Sequence, residues 1–122
     1  MAAAGAQVLI VEDEDLIAGL IAEQLAELGY GVVGPACSIA EARRLAQSEP
    51  IDCALLDWDL AGATTGEIAD ILAGRRIPFI FASGYGELPD DSRRASPVLR
   101  KPFALADLQR ALEGLLPTAL QA

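Results

Sequence analysis

Short apolar runs alternate along the chain with longer segments in which apolar residues recur every three or four positions. The short runs have the length of buried strands and comprise Gln7–Val11, Tyr30–Gly34, Cys53–Asp57, Pro78–Ala82 and Pro97–Leu99. The first is continuously apolar from Val8, as expected when helices cover both faces of a sheet. This alternation predicts an α/β domain with a parallel sheet between two helix layers and right-handed crossovers.

The helical segments have recognisable boundaries. They are a helix opened by residues 12–15 and stopped by Gly29, one over residues 39–48, one over residues 67–72 stopped by Gly74, and one from Leu105 to Leu116 closed by Pro117. Ser38 and Glu41 form a capping-box pattern before the second helix. Glycines, prolines and acids crowd residues 84–97, so a fourth helix within residues 86–96 is predicted to be short or irregular.

The composition restricts the possible functions. The net charge of −9 argues against nucleic acid and anionic membranes as partners, because both attract basic proteins. The chain has no histidine, which excludes a Ser-His-Asp triad, a histidine metal site and a histidine general base. Its apolar runs are shorter than the roughly 20 residues of a membrane helix. Cys37 and Cys53 have no framework spacing, so we expect buried free thiols in a cytoplasmic protein.

The chain contains no linker and no internal repeat beyond the strand–helix alternation. We therefore expect residues 1–122 to form one domain, with residues 1–6 as a loose leader and no output domain.

Polar side chains follow the predicted strands where the carboxyl ends of a parallel sheet meet. They are Glu12, Asp13, Asp57, Asp59, Ser83 and Lys101. Ligands bind at this edge of open α/β sheets. Several carboxylates placed together repel one another unless a cation joins them, and hard oxygen ligands suit Mg²⁺. The pattern predicts that Asp57 is a nucleophile for phosphoryl groups, with Mg²⁺ beside it and with Lys101 and Ser83 contacting the phosphoryl oxygens.

Each of these residues also has a structural interpretation. Acids favour the first turn of a helix because of its dipole, which accounts for Glu14 and Asp15 better than for Glu12 and Asp13. Exposed lysines are common, although Lys101 is the sole lysine of the chain. Ser83 precedes a glycine, as turn residues do. Trp58 is interpreted as a packing or rim residue rather than a chemical one.

Four segments together resemble the receiver domains of response regulators, over essentially the full length of the chain. They are VLIVEDE (8–14), LLDWDL (55–60), FASGYG (81–86) and KPF (101–103). The resemblance implies a flavodoxin-like (βα)₅ three-layer sandwich whose five parallel strands have the order 2-1-3-4-5.

The resemblance also implies roles for individual residues. Asp57 would accept the phosphoryl group, Asp13 and Asp57 would bind Mg²⁺ through their side chains, and Asp59 would bind it through its backbone carbonyl. Glu12 would bind the metal directly or through water. Ser83 would donate a hydrogen bond to the phosphoryl group and Lys101 would pair with it. Such a protein is a phospho-acceptor with slow autodephosphorylation rather than a turnover enzyme.

The segment PFIFASGYG is similar to the subgroup called FAT GUY receivers, which have threonine where Ser83 stands here. Receivers usually carry an aromatic residue three positions before the lysine, where this chain has Val98. The usual aromatic gate is therefore absent from the switch positions Ser83 and Val98. Tyr85 would substitute for it, or the output would differ. The implied partners are a sensor histidine kinase, of the HWE type in this subgroup, or a histidine phosphotransfer protein, together with a downstream protein target.

Two other functions remain open from the residues. Asp57-Trp58-Asp59 also resembles the DxD motif of Mg²⁺-dependent phosphatases of the haloacid-dehalogenase type, but that motif follows the first strand of its fold. A pseudo-receiver would bind proteins without being phosphorylated, although Asp13, Asp57, Ser83 and Lys101 are all present. A receiver would either switch the binding of a partner or serve as a sink for phosphoryl groups.

Overall fold

A computed structural model describes residues 5–60, 62–83, 98–101 and 103–116. Its strands are β1 (Gln7–Val11), β2 (Gly31–Ala36), β3 (Cys53–Asp57), β4 (Asp59–Leu60), β5 (Ala63–Thr64), β6 (Phe79–Ser83) and β7 (Val98–Arg100). Its helices are α1 (Asp15–Glu27), α2 (Ile39–Ser48), α3 (Gly66–Gly74) and α4 (Leu105–Leu115).

The described strands form a parallel sheet with the order β2-β1-β3-β6-β7, and β4 and β5 form a separate antiparallel ribbon. With the ribbon set aside, this is the predicted order 2-1-3-4-5. The flavodoxin-like α/β fold is therefore confirmed. No helix in the described ranges is both long and apolar enough to cross a bilayer.

The core lies on both faces of the sheet because successive strand residues point to opposite sides. From β1, Leu9 and Val11 pack on one face, against residues of α2 and α3 such as Leu45 and Leu72. Val8 and Ile10 pack on the other face, against α1 and α4. The sheet is thus the middle of three layers. The described helices cover both of its faces and leave the edge at which the strands end uncovered.

The structure corrects the predicted second strand, which does not end at Pro35. Strand β2 continues to Ala36, and its pairing with β1 shifts between Leu9, opposite Val33, and Val11, opposite Ala36. Because β2 lies at the edge of the sheet, no described strand neighbours its outer side. Pro35, which has no backbone N–H, therefore removes no hydrogen bond between strands on that side.

Three smaller expectations also change or stay open. Gly5 and Ala6 belong to the fold rather than to a loose leader, since Ala6 is buried and both bond to the backbone near β2. Cys53 is buried but Cys37 is only half-buried. The predicted irregular helix at 86–96 lies outside the described residues.

Candidate functional site

The ends of four parallel strands bring four polar residues to one place. Glu12 follows β1, Asp57 ends β3, Ser83 ends β6 and Lys101 follows β7. The strand register aligns them, because Val11 pairs with Leu56, Asp57 with Ala82, and Ser83 with Arg100. Glu12, Asp57 and Ser83 are all buried, which is unusual for polar side chains.

Lys101 joins the two buried carboxylates. Its Nζ atom lies 2.9 Å from Glu12 Oε1 and 3.2 Å from Asp57 Oδ2. Its backbone N–H donates to the Ser83 carbonyl at 3.0 Å, which holds the lysine beside the end of β6. Lys101 was predicted to share one site with Asp57, and the structure places its ammonium beside that carboxylate, but the pairing with Glu12 was not predicted.

Three carboxylates form an oxygen-rich cluster beside this ion pair. One ligand oxygen from each of Glu12, Asp13 and Asp57 can be chosen so that all lie within 4.8 Å of one another. The second oxygen of Glu12 accepts from the Glu14 N–H at 3.2 Å, which orients its carboxylate. Carboxylates at this spacing are the donor set that Mg²⁺ binds in proteins, so the residues present fit that ion.

Burial and charge determine the protonation of Asp57. Its pKa is raised from 3.8 to about 7, chiefly by burial and then by the Glu12 charge, and Lys101 opposes the rise. Burial lowers the pKa of Lys101, but its hydrogen bond to Glu12 and the Asp57 charge outweigh that effect and raise it. The three carboxylates exceed the single ammonium in charge, so a divalent cation would complete the balance.

The backbone around Asp57 is fixed by hydrogen bonds on both sides. The Trp58 N–H donates to the Ala82 carbonyl at 3.0 Å, and the Thr65 hydroxyl donates to the Asp57 carbonyl at 2.8 Å. No role was predicted for Thr65 from its place in the sequence. The available signal was a threonine directly before a helix, which by itself indicates only a cap.

Trp58 is a packing residue, as predicted. Its ring is buried and lies edge-on to Phe81, with the ring centroids 5.1 Å apart.

Other predicted site residues are not brought into the cluster. Asp59 is exposed and begins the ribbon, and its carboxylate is not among the clustered ones in the described part of the chain. Val98 is half-buried in β7, opposite Phe81. Tyr85 lies outside the described residues. The backbone role of Asp59 and the switch roles of Val98 and Tyr85 therefore stay predictions.

A groove adjoins the cluster on the side of α1. It has a volume of about 490 Å³ and is lined by Ile17, Leu20, Ile21, Gln24, Lys101 and Phe103. Leu16 and Leu20 on the same helix are 79% and 53% exposed, which is high for large apolar side chains. An apolar surface thus leads directly to the lysine that contacts Asp57.

Comparison with known proteins identifies relatives. Among curated proteins, the transcriptional regulatory protein PdtaR of Mycobacterium tuberculosis is 35% identical over 117 residues, which cover 92% of this chain and 57% of PdtaR. The solution structure of SdrG from Sphingomonas melonis Fr1 has a TM-score of 0.79 and 41% identity, covering 94% of this chain and 98% of SdrG.

The receiver domain of the sensor histidine kinase PA1611 from Pseudomonas aeruginosa PAO1 has magnesium coordinated in its active-site cleft. It is 29% identical, with a TM-score of 0.78, and the match covers 92% of this chain and 98% of that one. The chain spans about half the length of the curated relatives it matches. The model of the response regulator receiver domain matches residues 8–113. The chain therefore belongs to the family of response regulator receiver domains, which act in two-component signalling.

Proposed function

We propose that this receiver accepts a phosphoryl group on Asp57 from a phosphohistidine of a partner protein, in the presence of Mg²⁺. The observation that carries the proposal is the position of the Asp57 carboxylate, 3.2 Å from the Lys101 ammonium and within the cluster formed with Glu12 and Asp13. Phosphoryl transfer requires an anionic nucleophile, a positive charge and ligands for a cation, and all three meet at this point.

Asp57 acts as the nucleophile in its ionised form. One carboxylate oxygen attacks phosphorus, an O–P bond forms, and the N–P bond to the imidazole of the donor breaks. The electron pair of the broken N–P bond stays on the imidazole, which takes up a proton and leaves as the neutral ring. The pKa of Asp57, about 7 because of burial and the Glu12 charge, would leave much of it protonated at neutral pH without a cation. A bound Mg²⁺ would favour the ionised carboxylate and neutralise charge on the phosphoryl oxygens.

Lys101 and Ser83 receive the new charge. The Lys101 ammonium already contacts Asp57, and we propose that it pairs with a phosphoryl oxygen once the aspartate is modified. The Ser83 side chain is buried at the end of the adjacent strand and would donate its hydroxyl proton to another oxygen. Asp13 and Glu12 would hold the Mg²⁺ with Asp57, and the backbone carbonyl of Asp59 remains the expected further ligand.

We propose that the donor is a histidine kinase or a histidine phosphotransfer protein that docks on the α1 groove. The groove reaches Lys101, so an occupant there places its phosphohistidine near Asp57. The exposed Leu16 and Leu20 would be covered by an apolar surface of that partner. Phosphorylation would then change the binding of a downstream protein, or the receiver would act as a phosphate sink. The free thiols of Cys37 and Cys53 favour a cytoplasmic location.

Acetyl phosphate distinguishes this function from its rivals. The wild-type protein is incubated with acetyl phosphate in Mg²⁺ and, separately, in EDTA, and intact mass and phosphate release are followed. A gain of one phosphoryl group that requires Mg²⁺ and is lost in Asp57→Asn supports the receiver. Rapid turnover of simple phosphate esters would instead indicate a phosphatase, and no reaction would indicate a pseudo-receiver.

A further inference from the structure

Thr65 is buried as deeply as the proposed site residues. The buried polar or charged side chains of the described residues are Glu12, Asp57, Thr65 and Ser83, and Thr65 is 0% exposed. The other three lie in the proposed phosphorylation site. A buried hydroxyl is costly unless it is hydrogen-bonded, so its choice of partner indicates its role.

The partner of the Thr65 hydroxyl is the backbone of Asp57. Thr65 Oγ1 lies 2.8 Å from the Asp57 carbonyl oxygen and 3.4 Å from that of Trp58, so the first is the stronger bond. The Thr65 N–H donates to the Trp58 carbonyl at 3.0 Å. On the opposite side the Trp58 N–H donates to the Ala82 carbonyl at 3.0 Å. The peptide unit between Asp57 and Trp58 is therefore held at both its C=O and its N–H.

Helix capping does not account for this hydroxyl. Thr65 is the N-cap residue of α3, where a threonine side chain ordinarily accepts a bond from a backbone N–H of the first turn. The Thr65 side chain makes no such bond. In α2, by contrast, the Ser38 hydroxyl accepts from the Glu41 N–H at 3.2 Å. The two N-cap residues of similar chemistry are thus used differently.

We propose that Thr65 is a positioning residue for phosphoryl transfer, whose hydroxyl fixes the peptide plane that carries the Asp57 carboxylate. The proposal rests on the function proposed above. Rotation of this peptide plane changes the direction in which the Asp57 side chain leaves the backbone. Its carboxylate must stay near Lys101, Glu12 and Asp13 at once, which leaves little freedom. The rate of phosphoryl transfer depends mainly on how the reacting groups are positioned, so a small misplacement of the Asp57 carboxylate lowers it.

The test compares Thr65→Val with Thr65→Ser. Valine has nearly the same shape but no hydroxyl, whereas serine keeps it. The first-order labelling rate at saturating acetyl phosphate and Mg²⁺ is expected to fall about tenfold or more in Thr65→Val and to stay within about twofold in Thr65→Ser. Mg²⁺ affinity is measured separately by isothermal titration calorimetry. We expect weaker Mg²⁺ binding in Thr65→Val only.

Ser38→Ala is the matched control for a purely structural loss. It removes a helix-cap hydroxyl that has no bond to the site, so it should lower stability and leave both the labelling rate and Mg²⁺ affinity unchanged. All rates are measured where circular dichroism shows the variant folded. If Thr65→Val does not fold, Thr65→Ala replaces it, with the same loss of rate expected.

The outcomes separate this inference from the proposed function. If wild-type protein is labelled on Asp57 and folded Thr65→Val is labelled at the same rate, the positioning role is wrong and the receiver function stands. If Ser38→Ala loses as much rate as Thr65→Val, general destabilisation explains the effect and the inference is likewise overturned. If the wild-type protein takes up no phosphoryl group, both fail.

Discussion

Replacing Asp57 with asparagine should change how the stability of the metal-free protein depends on pH. Burial and the neighbouring Glu12 charge raise the pKa of Asp57 from 3.8 to about 7, so the folded protein favours its protonated form. A carboxyl group whose pKa is higher in the folded than in the unfolded protein stabilises the fold. This stabilisation is fully present below the pKa of the unfolded state and is lost as the pH rises through the pKa of the folded state. Asparagine cannot ionise, so the variant lacks this loss.

The magnitude follows from the two pKa values. The difference between 3.8 and about 7 corresponds to about 4 kcal/mol, at about 1.36 kcal/mol per pH unit. Because protonation and folding are linked, roughly 2 to 3 kcal/mol of this stabilisation is lost between about pH 5 and about pH 8. Over that interval the stability of Asp57→Asn should therefore rise by this amount relative to wild type. Lys101 stays charged throughout, because its pKa is raised.

Urea denaturation in EDTA at several pH values measures the effect. Glu27→Gln is the control, because it removes the same charge from an exposed position in α1. Its stability difference from wild type should be nearly independent of pH. Adding Mg²⁺ at about pH 8 should stabilise wild type and have less effect on Asp57→Asn. Parallel pH curves for wild type and Asp57→Asn would refute the buried, charge-repelled environment assigned to this carboxyl.

Two further substitutions test the ion pair and the groove. Lys101→Ala should bind Mg²⁺ about fivefold more tightly or better, since a unit charge near 4 Å is worth about 1 kcal/mol even in water. Unchanged Mg²⁺ affinity, measured by isothermal titration calorimetry, would contradict a competition between the lysine and the metal for Glu12. Leu20→Asp should slow phosphoryl transfer from phosphorylated histidine kinases at least about tenfold while acetyl phosphate labelling stays normal. Ala26→Asp, exposed on the same helix but not lining the groove, is its control, and equal slowing by both would argue against docking there.

The sequence specified those elements whose ends carry local signals. The predicted bounds of β1, β3 and α2 agree with the structure because an apolar run, a proline or an N-cap marks each of them. The end of β2 was misplaced because a proline interrupts a strand only if its missing N–H would face a neighbour. The expected strand order already placed β2 at an edge of the sheet, so the error came from interpreting Pro35 by its local preference alone.

The site was predictable in outline for a related reason. Parallel strands place their carboxyl ends at one edge, so the convergence of Glu12, Asp57 and Lys101 followed from the strand assignment alone. The contact of Lys101 with Glu12 joins residues 89 positions apart and depends on side-chain directions within the folded edge. The bond from Thr65 to Asp57 was hidden for the same reason, because a threonine before a helix ordinarily caps it.

Chemical identification of the modified residue tests the central claim most directly. After incubation with acetyl phosphate and Mg²⁺, reduction with borohydride converts an aspartyl phosphate to homoserine, and peptide mass spectrometry locates it. We expect homoserine at position 57 alone, dependent on Mg²⁺ and absent from protein kept in EDTA. Reduction at another carboxylate, such as Asp13 or Asp59, or labelling that is indifferent to Mg²⁺, would contradict the assignment of Asp57 as the phosphoryl acceptor.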